Sequence, residues 1–142
     1  MLHVPTLLQK LQKLGIVGNV TNWIEKFLSK RTFQVKVGTE LSEKLIQQNG
    51  TPQGSVISPL LFLIMINDIP SGPEGVNMSL FADDSAVYIG HRKTNTLIKK
   101  IQQSIEEINN WCNQNGFKIS IAKTVGVLFT NKRYTLVILM FR

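Results

Sequence analysis

Two adjacent aspartates, Asp83 and Asp84, are the residues of this chain whose type and spacing best suit catalysis. They end the tetrapeptide Phe81-Ala82-Asp83-Asp84, which lies between the apolar runs 76–80 and 85–89. This pattern predicts a strand, a tight acidic turn and a second strand. Adjacent carboxylates repel each other unless water or a divalent cation screens them, and Mg2+ together with substrate phosphates would suit phosphoryl or nucleotidyl transfer. A plain surface turn is the alternative interpretation, because aspartate is common in turns.

A second segment, residues 49–62, combines two glycines, two prolines and two serines and then becomes apolar. Gly54 has no Cβ, so a substrate could approach its backbone closely. Ser58 and Pro59 resemble an N-cap and a first helical residue, and the apolar run 60–66 predicts a buried helix. The alternative is a loop that merely precedes a core helix.

The order of these motifs resembles that of the reverse transcriptases of non-LTR retrotransposons, in the style of jockey-like mobile elements. The resemblance rests on Gly-Thr-Pro-Gln-Gly-Ser-x-x-Ser-Pro-Leu-Leu-Phe at 50–62, Asn-Asp-Ile-Pro at 67–70 and Phe-Ala-Asp-Asp at 81–84. In that family the first stretch is motif B and the acidic hairpin is motif C. Further similarity covers the helix end 11–16, the segment 23–37 and a motif D-like stretch at 111–124, so that about residues 3–131 are included.

The resemblance implies an RNA-directed DNA polymerase, in which a primer 3′-hydroxyl attacks the α-phosphorus of a deoxynucleoside triphosphate on an RNA template. Two Mg2+ ions about 4 Å apart, or Mn2+ in their place, would assist this nucleotidyl transfer. By resemblance, Asp83 is the main metal ligand and Asp84 the second. Phe81, where the family often has tyrosine, would pack beneath the primer end.

Five further residues receive roles from the same resemblance. Gln53 and Gly54 would line the pocket for the incoming nucleotide, and Lys123 would neutralise or protonate the pyrophosphate. Arg31 and Lys36 would contact template phosphates. For Lys123, and for Arg31 and Lys36 on a predicted strand, a solvated surface charge is the alternative.

The family's motif A, which supplies a third carboxylate, is expected upstream of the motifs found here. The interpretation is therefore a partial polymerase palm at residues 1–131, inactive by itself, followed by a divergent apolar tail at 132–142. The tail is expected to pair as an extra strand at a sheet edge or to promote aggregation. A catalytically dead nucleic-acid-binding remnant and a group II intron maturase-type palm remain alternatives.

Composition fits a basic globular domain without a membrane role. The 142 residues are 43% hydrophobic and carry a net charge of +7, which suits a polyanionic partner although the positive residues are dispersed. The longest apolar run of the motif B region has seven residues, too few for a membrane span. The single cysteine, Cys112, lies on an apolar helix face and is expected to be a buried thiol. A retrotransposon product would work in the nucleus or the cytoplasm.

Hydrophobic periodicity places the motifs on an α+β fold, in which helices cover one face of an antiparallel sheet. Helices are predicted from Pro5 to Gly15, from a cap at Asn19 or Thr21 to include Leu28, after Ser58, and at 94–115, where Gly116 would be the C-cap. Strands are predicted at 32–37, which would be half exposed and could pair with 41–48, at the acidic hairpin, and at 117–121 and 125–130.

Overall fold

The computed structural model describes residues 2–47, 50–131 and 133–141. These residues divide into two compact units, Met1–Asn67 and Asp68–Arg142. The first unit contains α1 (Val4–Lys13), α2 (Asn19–Leu28), β1 (Arg31–Phe33), β2 (Lys36–Val37), β3 (Glu40–Leu41), β4 (Leu45–Gln47) and α3 (Ser58–Ile66). The second contains β5 (Asn77–Phe81), β6 (Asp84–His91), α4 (Thr94–Asn115), a 3-10 helix (Ile121–Lys123), β7 (Val125–Thr130) and β8 (Thr135–Phe141).

In the first unit, α1 packs against both α2 and α3. The buried apolar side chains of these helices are Leu7, Leu11, Ile24, Leu28, Leu61, Met65 and Ile66. Lys10 is buried among the helices, and its Nζ donates to the Met65 carbonyl at 2.7 Å. This bond satisfies a carbonyl at the end of α3, which has no intrahelical partner available.

The segment between α2 and α3 differs from the half-exposed strand that was predicted. The run 32–37 is broken into β1 and β2, which pair with β4 and β3 respectively, so the predicted pairing is confirmed within the described residues. The predicted burial of one face of this strand is wrong, since Phe33, Val35 and Val37 are 45%, 55% and 74% exposed. Among the described residues these side chains stay largely exposed, so alternation alone did not predict burial.

Helix α3 begins in a different way from the predicted cap. Ile57 is the N-cap residue, and the Ser58 hydroxyl donates to the Pro52 carbonyl at 2.7 Å instead of accepting a helical N–H. The apolar run is only partly buried, because Leu60 and Leu63 are each more than half exposed. The Ser58 side chain therefore fixes the loop that precedes the helix.

The second unit is a four-stranded antiparallel sheet in the order β5-β6-β8-β7. Helix α4 packs on β6 and β8 through the side of the sheet that carries Val87, Ile89, Leu139 and Phe141. The unit is thus mixed α+β as predicted, although here one helix covers the sheet. Gly116 ends α4 with φ 74°, and the Phe117 N–H donates to the Cys112 carbonyl at 2.9 Å, which confirms the predicted C-cap.

Two predictions about the end of the chain are wrong. Residues 117–120 form no strand, and Ile121–Lys123 is a 3-10 helix, because Phe117 turns back to stack on Trp111 with ring centroids 5.5 Å apart. The tail is also not an edge strand: β8 lies between β6 and β7 and pairs along its length with both. The apolar run thus supplies the centre of the sheet, while the domain boundary at residue 131 stays a prediction.

Candidate active site

The acidic pair lies at the tip of the β5–β6 hairpin, as predicted. Phe81 and Asp84 are the closing pair of the two strands, and Ala82 and Asp83 form the two-residue turn between them. Asp83 is exposed at the turn, whereas Asp84 begins β6 and is partly buried. The hairpin therefore holds two consecutive carboxylates at one end of the sheet.

The turn contains an unusual backbone conformation. Ala82 has φ 52°, and Lys30 is the other non-glycine residue with positive φ in the described part of the chain. A two-residue hairpin loop with positive φ at its first position is the type II′ pattern, for which glycine is preferred. A residue with a Cβ in this region costs about 1–2 kcal/mol, and such strain concentrates at functional sites.

A cavity of about 570 Å³ opens beside the hairpin tip. It brings Asp84 together with Phe81 and with Lys123, which the 3-10 helix carries 39 positions further along the chain. The remaining lining residues are Ser79, Ser85, Ala86, Val125, Met140 and Phe141. An anionic group, a cationic group and two hydroxyls in one apolar cleft could bind a phosphorylated ligand together with a cation.

Phe81 is 82% exposed at the rim of this cavity. A ring this exposed buries little surface and so contributes little to the stability of this unit. The proposed contact with a primer end would cover it, and that role stays a prediction.

The donor chemistry of the hairpin fits a divalent cation. Carboxylate oxygens are the ligands that Mg2+ prefers, and this ion usually takes one or two of them together with water and substrate phosphates. Among the described residues, no cluster of three or more histidine, cysteine or acidic side chains is close enough to form a metal site. The sheet thus offers two carboxylates for such an ion.

The remaining candidate residues lie in the first unit. Gln53 and Gly54 are both exposed, in the loop before α3. A Cβ built on Gly54 would meet nothing within 4 Å, but its φ is +81°, so glycine is required here by backbone conformation. Lys36 is exposed on β2. The predicted contacts of Gln53 and Gly54 with the nucleotide, and of Lys36 with template phosphate, stay predictions.

Arg31 is oriented differently from an exposed phosphate ligand. Its Nε donates to the Leu28 carbonyl at 3.0 Å, and its Nη2 donates to the Gly50 carbonyl. The template-phosphate role of Arg31 stays a prediction, while the contact with Gly50 is one that strand periodicity could not have indicated.

The motifs belong to a recognised enzyme class. Residues 2–137 match the family model described as reverse transcriptase (RNA-dependent DNA polymerase), so the chain belongs to the reverse transcriptase family. It is 30% identical over 117 residues to the RNA-directed DNA polymerase from mobile element jockey of Drosophila melanogaster, a match that covers 77% of this chain and 13% of that protein.

Two further relatives carry the same activity in their names. The jockey polymerase of Drosophila funebris is 30% identical over 135 residues, covering 89% of this chain and 14% of the relative. The probable RNA-directed DNA polymerase from transposon BS of Drosophila melanogaster is 28% identical over 116 residues, covering 77% and 13%. The chain thus spans about one-seventh of the length of these relatives or less. No solved structure matches the chain at a significant level.

No helix in the described part of the chain is both long and apolar enough to cross a membrane.

Proposed function

We propose that this chain is the part of an RNA-directed DNA polymerase palm that binds a deoxynucleoside triphosphate with its metal ion beside a primer end. The observation that carries the proposal is the shared cavity of Asp84 and Lys123 at the tip of the acidic hairpin. Membership of the reverse transcriptase family supports the reaction, which is template-directed nucleotidyl transfer on RNA.

Each residue of the hairpin has a distinct task in this proposal. Asp83 and Asp84 hold Mg2+, which when bound would neutralise charge on the triphosphate and activate the primer hydroxyl. Lys123 binds the pyrophosphate portion, because its cation lines the same cavity as Asp84. Phe81 packs under the primer end, and Gln53 and Gly54 contact the incoming nucleotide. Arg31 and Lys36 are the candidates for template contacts.

Full catalysis needs more than these two carboxylates. The family resemblance assigns a third carboxylate to motif A, and the described residues contain no cluster of three metal-binding side chains. Removing one charge-stabilising group from such a site costs several kcal/mol in the transition state. Residues 1–142 alone are therefore expected to bind nucleotide and metal but not to extend a primer.

The test is Mn2+ binding measured by electron paramagnetic resonance, with and without deoxythymidine triphosphate. We expect the nucleotide to strengthen Mn2+ binding to the chain, and we expect Asp83→Asn and Asp84→Asn to abolish the increase. Glu106 and Glu107 are a second adjacent acidic pair, which lies on α4 and does not line the cavity with Asp84, so their double change to glutamine is the matched control. An equal loss of nucleotide-dependent Mn2+ binding after changing either acidic pair would refute the site.

Primer extension on a poly(rA) template with an oligo(dT) primer completes the test. Sustained incorporation above an Asp83→Ala control would contradict the expected inactivity of the isolated chain. Tight primer-template binding without any nucleotide-dependent metal binding would favour the nucleic-acid-binding remnant.

A further inference from the structure

Arg31 connects three separate parts of the first unit. It is the first residue of β1, where it pairs with Gln47 of β4. Its guanidinium donates through Nε to the carbonyl of Leu28, the last residue of α2, at 3.0 Å and through Nη2 to the carbonyl of Gly50. One planar side chain thus joins a helix end, a hairpin and the start of the loop that carries Gln53.

Gly50 is held from both sides of its backbone. Its N–H donates to the Leu2 carbonyl at 3.0 Å, while its own carbonyl accepts from Arg31. The next fixed point of the loop is the Pro52 carbonyl, which accepts from the Ser58 hydroxyl at 2.7 Å. Gln53 and Gly54 follow directly and are exposed. The anchors therefore lie immediately before the two residues assigned to the nucleotide.

The remaining terminal nitrogen of Arg31 destabilises the fold. Nη1 is buried and has no hydrogen-bond partner among the described residues. A buried donor without a partner lowers stability, so a guanidinium placed in this way is a poor choice for stability alone. Its planar fork donates from two separate nitrogens held in a fixed geometry, which the single nitrogen of a lysine ammonium group cannot reproduce.

We propose that Arg31 is a positioning residue, which fixes the Gly50 carbonyl and thereby the conformation in which Gln53 and Gly54 meet the incoming nucleotide. The inference rests on the proposed nucleotide-binding role of that loop. It gives Arg31 a task inside the protein that does not depend on a contact with template phosphate.

The test compares Arg31→Ala and Arg31→Lys with the unaltered chain. Lys44→Ala is the matched control, since Lys44 is an exposed cation between β3 and β4 and has no assigned role. The first measurement is hydrogen exchange of the hydrogen-bonded amides of Gly50 and Ser55, followed by NMR. The second is equilibrium dialysis with Mg2+ and deoxythymidine triphosphate, with and without added methylguanidinium.

In both Arg31 variants the amide hydrogens of Gly50 and Ser55 are expected to exchange about tenfold faster, while the exchange rates of β6 amides stay unchanged. Nucleotide binding should weaken about tenfold in both, and methylguanidinium should restore it in Arg31→Ala but not in Arg31→Lys. Lys44→Ala should match the unaltered chain in every measurement.

Three results would overturn the proposal. Unchanged exchange in Arg31→Ala would show that the loop does not depend on this side chain. Wild-type behaviour of Arg31→Lys would show that a charge suffices without the fork. Faster amide exchange in the loop with undiminished nucleotide binding would show that the conformation of the loop does not affect the ligand. If the unaltered chain binds no nucleotide, the proposed function fails, while the exchange data still decide whether Arg31 holds the loop.

Discussion

Phe141 pairs with Ser85, the residue that follows Asp84, so the C-terminal strand reaches the acidic end of the hairpin. Phe141 is 7% exposed and lines the cavity that contains Asp84 and Lys123. The strand that was interpreted from sequence as a divergent tail therefore lines the cavity of the candidate active site.

Deletion of residues 134–142 is expected to abolish cooperative unfolding, because it removes a strand that pairs on both sides. The segment that was interpreted from sequence as a divergent tail is thus expected to be part of the fold. Circular dichroism during heating measures the transition. As a milder test, Phe141→Ala should lower the free energy of unfolding by about 3–5 kcal/mol, whereas Met140→Ala, 45% exposed, should cost much less. A cooperative transition in the deletion variant would contradict the central role of β8.

Replacement of Ala82 by glycine is expected to stabilise the hairpin by up to about 1 kcal/mol, since relief of the strained φ of 52° exceeds the added entropy of the unfolded chain. Ala86→Gly is the control, because Ala86 lies inside β6 and lacks a positive φ; it should destabilise by about 0.5–1 kcal/mol. Urea titrations give both changes in the free energy of unfolding, and a change of the same sign in the two variants would refute the strain at Ala82.

Gly72→Ala is expected to destabilise the second unit by about 2–4 kcal/mol. Its φ is +99°, and a Cβ there would lie 2.8 Å from the Cβ of Ser104, which is fully buried on α4. Gly75→Ala has a similar φ of +85° but meets only the Lys100 Nζ at 3.7 Å, so it isolates the backbone cost. Equal losses of stability in urea would show that the contact with α4 is unimportant.

Burial raises the pKa of the Cys112 thiol above its ordinary value of 9.0. Above about pH 9.0 the unfolded chain therefore loses this proton first, and stability falls as the pH rises through the folded-state pKa. Comparing the free energy of unfolding between pH 8 and pH 10.5 with that of Cys112→Ala should reveal a shallower decline in the variant, since its other titrating groups are the same. Parallel curves would contradict a shifted thiol.

Local patterns predicted much of this protein from sequence. The acidic hairpin was recognisable because two apolar runs flank a short acidic turn, and α4 because its apolar residues recur at helical spacing and Gly116 follows. Motif order was enough to indicate the enzyme family, which the comparison with known proteins confirms.

Other features depended on long-range contacts that periodicity does not contain. Lys123 meets Asp84 in one cavity only because the chain folds back through α4, and Arg31 meets Gly50 only because β1 and β4 pair. The apolar segment 136–141 could have formed an edge strand or an aggregating one by its composition alone. Its place between β6 and β7 was decided by the tertiary structure. There β8 pairs with backbone groups that β6 and β7 would otherwise leave unpaired, and α4 covers one face of β8.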